Sequence, residues 1–304
     1  MVRRQPRQRL LSVVTSAPPL FGVVGSPIAH SQSPALHRAA YAAIGFDARY
    51  DRTEVGEGRL GEFLAEAGDA LRGLSVTMPL KREAFALAVD RDSAAESTGA
   101  VNTLHRAGPD APFLGANTDV GGIVDAVRAG GATSPAHVLV LGGGATAASA
   151  VVAAAELGAA TVTLAVRALD RATSVAALAR EVGLGAELVT LDGVGPVPAD
   201  VVVSTLPGGS VIPVLPERAR DGGAVLLDAA YSPWPSELAA QWFDGHAPVV
   251  HGLSMLVHQA ARQVRLFARR SEREWALEAG VVTSAMFDVV GLDHSGMVER
   301  PARP

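Results

Sequence analysis

The chain has no cysteine, which excludes disulfides, thiol nucleophiles and thiolate metal sites. Its eight histidines contain no H-x-x-x-H pair, so no metal-ligating constellation is in view. Aromatic residues are scarce at 5%. No apolar run approaches the roughly 18 residues needed to cross a bilayer. Basic surplus is also lacking: the formal net charge is -5, which argues against a nucleic-acid partner. Ser210 sits in no nucleophile-elbow motif, and Gly121-Gly122 is too short for a phosphate loop. What remains, at 48% hydrophobic residues with Ala and Gly dominant, suits a soluble α/β enzyme with cytoplasm as its default location.

The most informative segment lies midway. His137 to Leu141 is an apolar strand that runs into Gly142-Gly143-Gly144 and an alanine-rich helix. Gly142, Gly144 and Ala147 occupy the G-x-G-x-x-G/A positions of a dinucleotide-binding turn. There, backbone amides and a helix N-terminus receive a pyrophosphate. The next strand, residues 161–166, ends at Arg167, where a NAD site would carry an acid. A cation at that point suits a ribose 2′-phosphate, so the expected cofactor is NADP.

With 304 residues there is room for two domains. Before the glycine turn, strands are expected at 21–25, 48–52, 74–77, 101–105 and 113–116, with helices at 33–43, 58–67 and 82–88. After it come strands at 187–191, 200–204, 224–228 and 248–250, and helices at 171–182 and 253–269. Alternating strands and helices predict parallel sheets with right-handed crossovers. The expected organisation is a basic arm over 1–18, a first α/β domain over 19–119 and a Rossmann-type dinucleotide-binding domain over 120–251. Helices over 252–292 return to the first domain, and a frayed tail covers 293–304. Chemistry belongs in the cleft between the domains.

Four segments of the first domain carry reactive side chains. Ser31 and Ser33 stand beside a helix start, with Ser33 as the expected N-cap and Pro34 following at N1. Those hydroxyls could equally receive a carboxylate. The strand ending in Thr77-Met78-Pro79 puts Lys81 at a sheet edge or cleft. Asn102 in Gly99-Ala100-Val101-Asn102-Thr103 and Asp119 in Gly115-Ala116-Asn117-Thr118-Asp119 read singly as turn formers. Asp119 could also cap a helix starting at Gly121.

Taken together, in this order and spacing, these segments resemble the shikimate dehydrogenase family, whose motifs run roughly G-x-P-x-x-H-S-x-S-P-x-x-H, G-x-N-V-T-x-P-x-K, G-A-V-N-T and G-x-N-T-D. His37 completes the first motif. Asp228-Ala229-Ala230-Tyr231-Ser232-Pro233 and Gly252 to Ala260 resemble two further ones, so the likeness spans about residues 20 to 280. The resemblance implies reversible NADPH-dependent reduction of 3-dehydroshikimate to shikimate, with Lys81 and Asp119 as the catalytic dyad. It also implies that Ser31 and Ser33 hold the substrate carboxylate, while Thr77, Asn102, Asp119, Tyr231 and Gln259 fix the ring and its hydroxyls. The cofactor would lie on Gly142, Gly143, Gly144, Ala145, Thr146, Arg167, Arg171, Thr205, Ala229, Gly252 and Met255. The implied partner is a small molecule, with no nucleic acid and no membrane, and a homodimer is open.

The chain departs from the family pattern mostly in the cofactor half. Ser75 replaces a usual Asn, leaving its local hydrogen bonds open. Arg167 and Arg171 persist without the usual neighbouring Asn and Thr, so NADP preference could be weaker. Ser204-Thr205-Leu206 stands for N-A-T, Ala229 for a common Met, and His251 and Ser254 for a frequent acid and Gly. The rival readings are a quinate/shikimate dehydrogenase using NAD, a methylenetetrahydrofolate dehydrogenase of similar architecture, and a catalytically silent NADP-binding paralogue. Presence of both Lys81 and Asp119 argues against the last.

Overall fold

The computed structural model describes residues 18–299, so the arm expected over 1–18 lies, save Pro18, outside the described residues. The first half runs β1 (Leu20–Gly25), α1 (Ser33–Ala43), β2 (Arg49–Glu54), α2 (Leu60–Glu66), β3 (Leu71–Val76), α3 (Lys81–Leu87) and β4 (Asp90–Arg91). It continues with α4 (Ser93–Thr98), β5 (Thr103–His105), β6 (Leu114–Ala116) and α5 (Thr118–Ala129). These strands form one six-stranded sheet in the order β2-β1-β3-β5-β6-β4.

A second sheet takes up β7 (His137–Leu141), β8 (Thr161–Val166), β9 (Gly185–Thr190), β10 (Val201–Ser204), β11 (Val225–Asp228) and β12 (Val249–His251). Its order is β12-β11-β10-β7-β8-β9, parallel at every pairing. Between its strands lie α6 (Ala145–Glu156), a 3-10 turn (Leu169–Ala172), α7 (Thr173–Glu181), α8 (Glu217–Asp221) and α9 (Glu237–Asp244). Two helices follow, α10 (Gly252–Phe267) and α11 (Glu272–Val290).

The continuous apolar run of β7 is explained by burial on both faces. Val138 and Val140 pack on one side with Ala147, Val151 and Ala154 of α6. Leu139 and Leu141, pointing the other way, join Leu226 and Trp242 in a separate cluster. In the first half, Phe21, Leu36, Ala40 and Tyr50 share a core with Val257, Val264 and Phe267 of α10 and Met286 and Phe287 of α11. The C-terminal helices therefore pack over the first sheet.

Four local expectations need correction. The first sheet is mixed, because β5 pairs antiparallel with both β3 and β6. The Gly108-Pro109-Asp110 stretch between β5 and β6 turns the chain straight back, and no helix intervenes to make a crossover. Ser33 is the first residue of α1 rather than its cap; the cap position is Gln32, without a side-chain bond, and Ser31 Oγ accepts from Ser33 N at 3.3 Å. Asp119 does not cap either: α5 starts at Thr118, and Asn117 Oδ1 accepts the Asp119 amide at 3.1 Å. The tail is tied down in part, since Met297 bridges Val250 and Val298 N donates to Val249 O at 3.1 Å.

Gly122 has a structural role that motif reading overlooked. On α5 it faces α10, and an added Cβ would lie 2.8 Å from the Gln259 Cβ. The small residue lets the two helices cross closely, and that contact sets Gln259 above the first sheet.

Candidate active site

Lys81 opens α3 and Asp119 sits in the first turn of α5, yet Lys81 Nζ donates to Asp119 Oδ2. Their side chains are 14% and 7% exposed, so the attraction acts in a poorly solvated setting and is stronger than a surface pair. Asp119 is held a second time: Asn102 Nδ2 donates to its Oδ1 at 2.7 Å. The amide of Asn102 cannot turn over, because Thr118 N donates to its Oδ1 at 2.8 Å and Thr103 Oγ1 donates to the same atom at 2.7 Å. Asp119 is thereby an acceptor from two directions, the arrangement that suits a carboxylate.

The network continues away from the dyad. Gln263 Nε2 donates to Thr103 Oγ1 at 2.9 Å and to Asn102 O at 3.2 Å. Ser75 Oγ donates to Gln263 Oε1 at 2.6 Å, and the Tyr50 hydroxyl donates to Ser75 Oγ at 2.6 Å. Ser75, which departs from the family pattern, thus spends its proton on Gln263. Burial pushes the Tyr50 phenol well up, so it acts as a donor throughout the working range. His37 stacks on Tyr50 at 4.0 Å, and its Nδ1 bonds Ser33 O at 2.9 Å. Burial lowers the His37 pKa to about 4, keeping the ring neutral.

One cavity of about 470 Å³ is lined by Ser31, Ser33, Thr77, Lys81, Asn102, Asp119, Tyr231 and Gln259. Every residue expected to touch substrate therefore faces the same space. A second cavity of about 710 Å³ is lined by Gly142, Gly143, Gly144, Ala145, Thr146, Arg167, Arg171 and Thr205. Thr77, Met78, Lys81, Thr146 and Thr205 border both. The two spaces meet beside the Lys81 amine. Ala229, Gly252 and Met255 lie on the wall of the first cavity.

The second cavity fits a dinucleotide. Gly142 holds φ +116°, and an added Cβ would collide with Thr205 Oγ1, so no larger residue can make this turn. At Gly144 a Cβ would meet nothing, leaving backbone open to a ligand. Gly144 is also the N-cap of α6 and makes no side-chain cap bond. The first amides of that helix are then free to receive phosphate oxygens. Gly252 is required by packing, since a Cβ there would stand 2.6 Å from Ala229 O. His251 caps α10 in place of an acid: its Nδ1 accepts from Leu253 N at 3.0 Å. Burial lowers its pKa to about 4, which keeps that acceptor available.

Motif reading missed Gln263, Ser75 and Tyr50 as parts of the polar chain. Gln263 follows Gln259 by four residues on one helix, a same-face spacing that could have exposed it. Another unused signal is compositional: all but one of the 26 Lys and Arg residues are arginine, and Lys81 is the exception.

The model of the shikimate dehydrogenase substrate binding domain matches residues 23–104. A shikimate dehydrogenase (NADP(+)) of Methanocella arvoryzae is 34% identical over 260 residues, covering 82% of this chain and 92% of that protein. The pentafunctional AROM polypeptide of Komagataella phaffii is 33% identical, but the chain spans only 16% of its length. Among solved structures, Mycobacterium tuberculosis shikimate dehydrogenase is 37% identical with a TM-score of 0.74, covering 89% of this chain and all of that one. The Thermus thermophilus shikimate 5-dehydrogenase in complex with NADP(H) and shikimate is 29% identical with a TM-score of 0.75, covering 89% of this chain and 99% of that one. The fold, the cavity that joins Lys81 to Asp119 and these likenesses agree: the chain belongs to the shikimate dehydrogenase family.

Proposed function

We propose that the chain catalyses the reversible NADPH-dependent reduction of 3-dehydroshikimate to shikimate, a step of aromatic amino-acid synthesis. The observation that carries this reading is the meeting of a glycine-turn cavity with a polar cavity at the buried Lys81–Asp119 pair. NADPH, when bound, supplies the hydride that reaches the carbonyl carbon. Lys81 donates a hydrogen bond to the carbonyl oxygen and gives up a proton as the alkoxide develops. In the reverse direction the neutral amine takes that proton from the shikimate hydroxyl. Asp119 holds the amine in place and accepts from the neighbouring hydroxyl.

Ser31 and Ser33 take the substrate carboxylate. Thr77, Asn102, Tyr231 and Gln259 orient the ring, so that one carbonyl faces the amine. On the cofactor side, residues 142–146 receive the pyrophosphate and Arg167 with Arg171 takes the 2′-phosphate. Thr205, Ala229, Gly252 and Met255 make the wall beside the nicotinamide.

The same reading divides the chain into a substrate domain over 19–119, a cofactor domain over 120–251 and returning helices over 252–292, working in the cytoplasm. It extends to a homodimer: α11 exposes Leu277 and Val281 between Arg273 and Asp288, a stripe that a second copy reversed against it would complement. The purified protein offered shikimate or quinate, each with NADP or NAD, tests the activity by the absorbance of the reduced cofactor. Turnover is expected with shikimate and NADP; a preference for quinate with NAD contradicts the proposal.

A further inference from the structure

We infer that Arg82 is a cofactor-binding residue supplied from the substrate side of the cleft, gripping the pyrophosphate against the glycine turn. The inference rests on reading the 710 Å³ cavity as the dinucleotide site. That cavity is lined by three arginines, Arg82, Arg167 and Arg171, and by no acidic side chain. Arg167 and Arg171 belong to the end of β8 and the turn after it, on the glycine turn's own sheet. Arg82 is the second residue of α3, which lies between β3 and β4 in the half of the chain that builds the other sheet. It therefore faces the ligand across the gap.

Its position is narrower than that. Arg82 also lines a neighbouring cavity of about 260 Å³ together with Gly144 and Ala145. Its side chain thus stands beside the start of α6, where the uncapped amides face the ligand space. No ion pair or hydrogen bond engages the Arg82 guanidinium among the described residues. Neighbouring acids are committed elsewhere: Glu83 accepts the amides of Gly58, Leu60 and Gly61, and Glu96 pairs with Arg91 at 2.6 Å. Besides Glu96, the one acid lining that smaller cavity is Glu181. An unpaired, planar, permanently charged fork at this spot matches two adjacent phosphate oxygens. Because Arg82 follows Lys81 directly, a cofactor held here also draws the start of α3 toward the glycine turn.

A phosphate common to both cofactors separates this role from 2′-phosphate recognition. Calorimetric titration of wild type and Arg82→Ala with NADPH and with NADH, at one salt concentration, makes the test. Arg82→Ala is expected to weaken both by about tenfold, with their ratio unchanged and partial recovery in Arg82→Lys. Arg167→Ala, titrated in parallel, should lose NADPH selectively. Affinities of Arg82→Ala within about twofold of wild type for both cofactors overturn the inference. A loss confined to NADPH overturns it as well, by moving Arg82 to the 2′-phosphate. If wild type binds neither cofactor, the reading of the cavity fails instead.

Discussion

The proposed choice of cofactor turns on one side chain, Arg167. It ends the strand that would present an acid to NAD, and it faces the cofactor cavity with Arg171 one turn on. Arg167→Ala should cut the preference for NADPH over NADH by about tenfold or more, read as a ratio of kcat/KM values. An unchanged ratio would remove the basis for NADP selectivity. The role proposed for this residue rests on a local signal, a cation at the end of a strand. Lys81, Asp119 and Asn102 were legible only as a set: singly they read as a strand-end cation and two turn formers, and the order and spacing of their segments carried the resemblance. Ser75 and Tyr50 were not legible, and Gln263 only by its same-face spacing from Gln259: the hydrogen bonds of the three join β3, α10 and β2, and that spacing does not announce a contact across 188 positions. Ser75 also shows why a departure from a family motif need not leave a gap, since Gln263 accepts the proton that Ser75 has to give.

At the scale of elements, the glycine turn is the piece with least tolerance. Gly142→Ala would force a Cβ into Thr205 at a left-handed φ of +116°. NADPH affinity should fall by about tenfold or more in that variant, while shikimate still protects the fold in thermal melts. Retained NADPH affinity would mean that the turn is not the cofactor platform. The parallel second sheet was readable because apolar strands alternate with helices at regular intervals. The mixed first sheet was not, because its β5–β6 pair is only three residues on each side. Short strands carry too little periodicity to show direction. Ser33 reads as a cap for a related reason: a Ser-Pro pair marks a helix start, but only geometry tells which residue enters the helix first.

At the scale of the molecule, two buried histidines make stability depend on pH. His37 and His251 both have pKa values lowered by burial from 6.5 to about 4. The unfolded chain therefore binds these protons before the folded one does, and stability present above about pH 6.5 is lost as pH falls toward 4. His37 alone accounts for up to about 3 kcal/mol of that loss. Tm should drop between pH 7 and pH 5, and His251→Asn, which keeps a capping acceptor without titrating, should flatten part of the slope. A Tm independent of pH across this window would contradict the neutral, buried state of both rings.

The whole arrangement has one purpose: α3 and α5 carry an amine and a carboxylate to the place where two cavities join. The most direct test is the turnover number of Lys81→Ala with saturating shikimate and NADP, measured beside its NADPH affinity. Since Lys81 is the single lysine of the chain, no neighbouring amine can stand in for it. In that variant kcat should fall about a hundredfold or more while NADPH affinity stays nearly unchanged. A fall smaller than about tenfold would contradict it, because proton transfer at the carbonyl would then belong to another group.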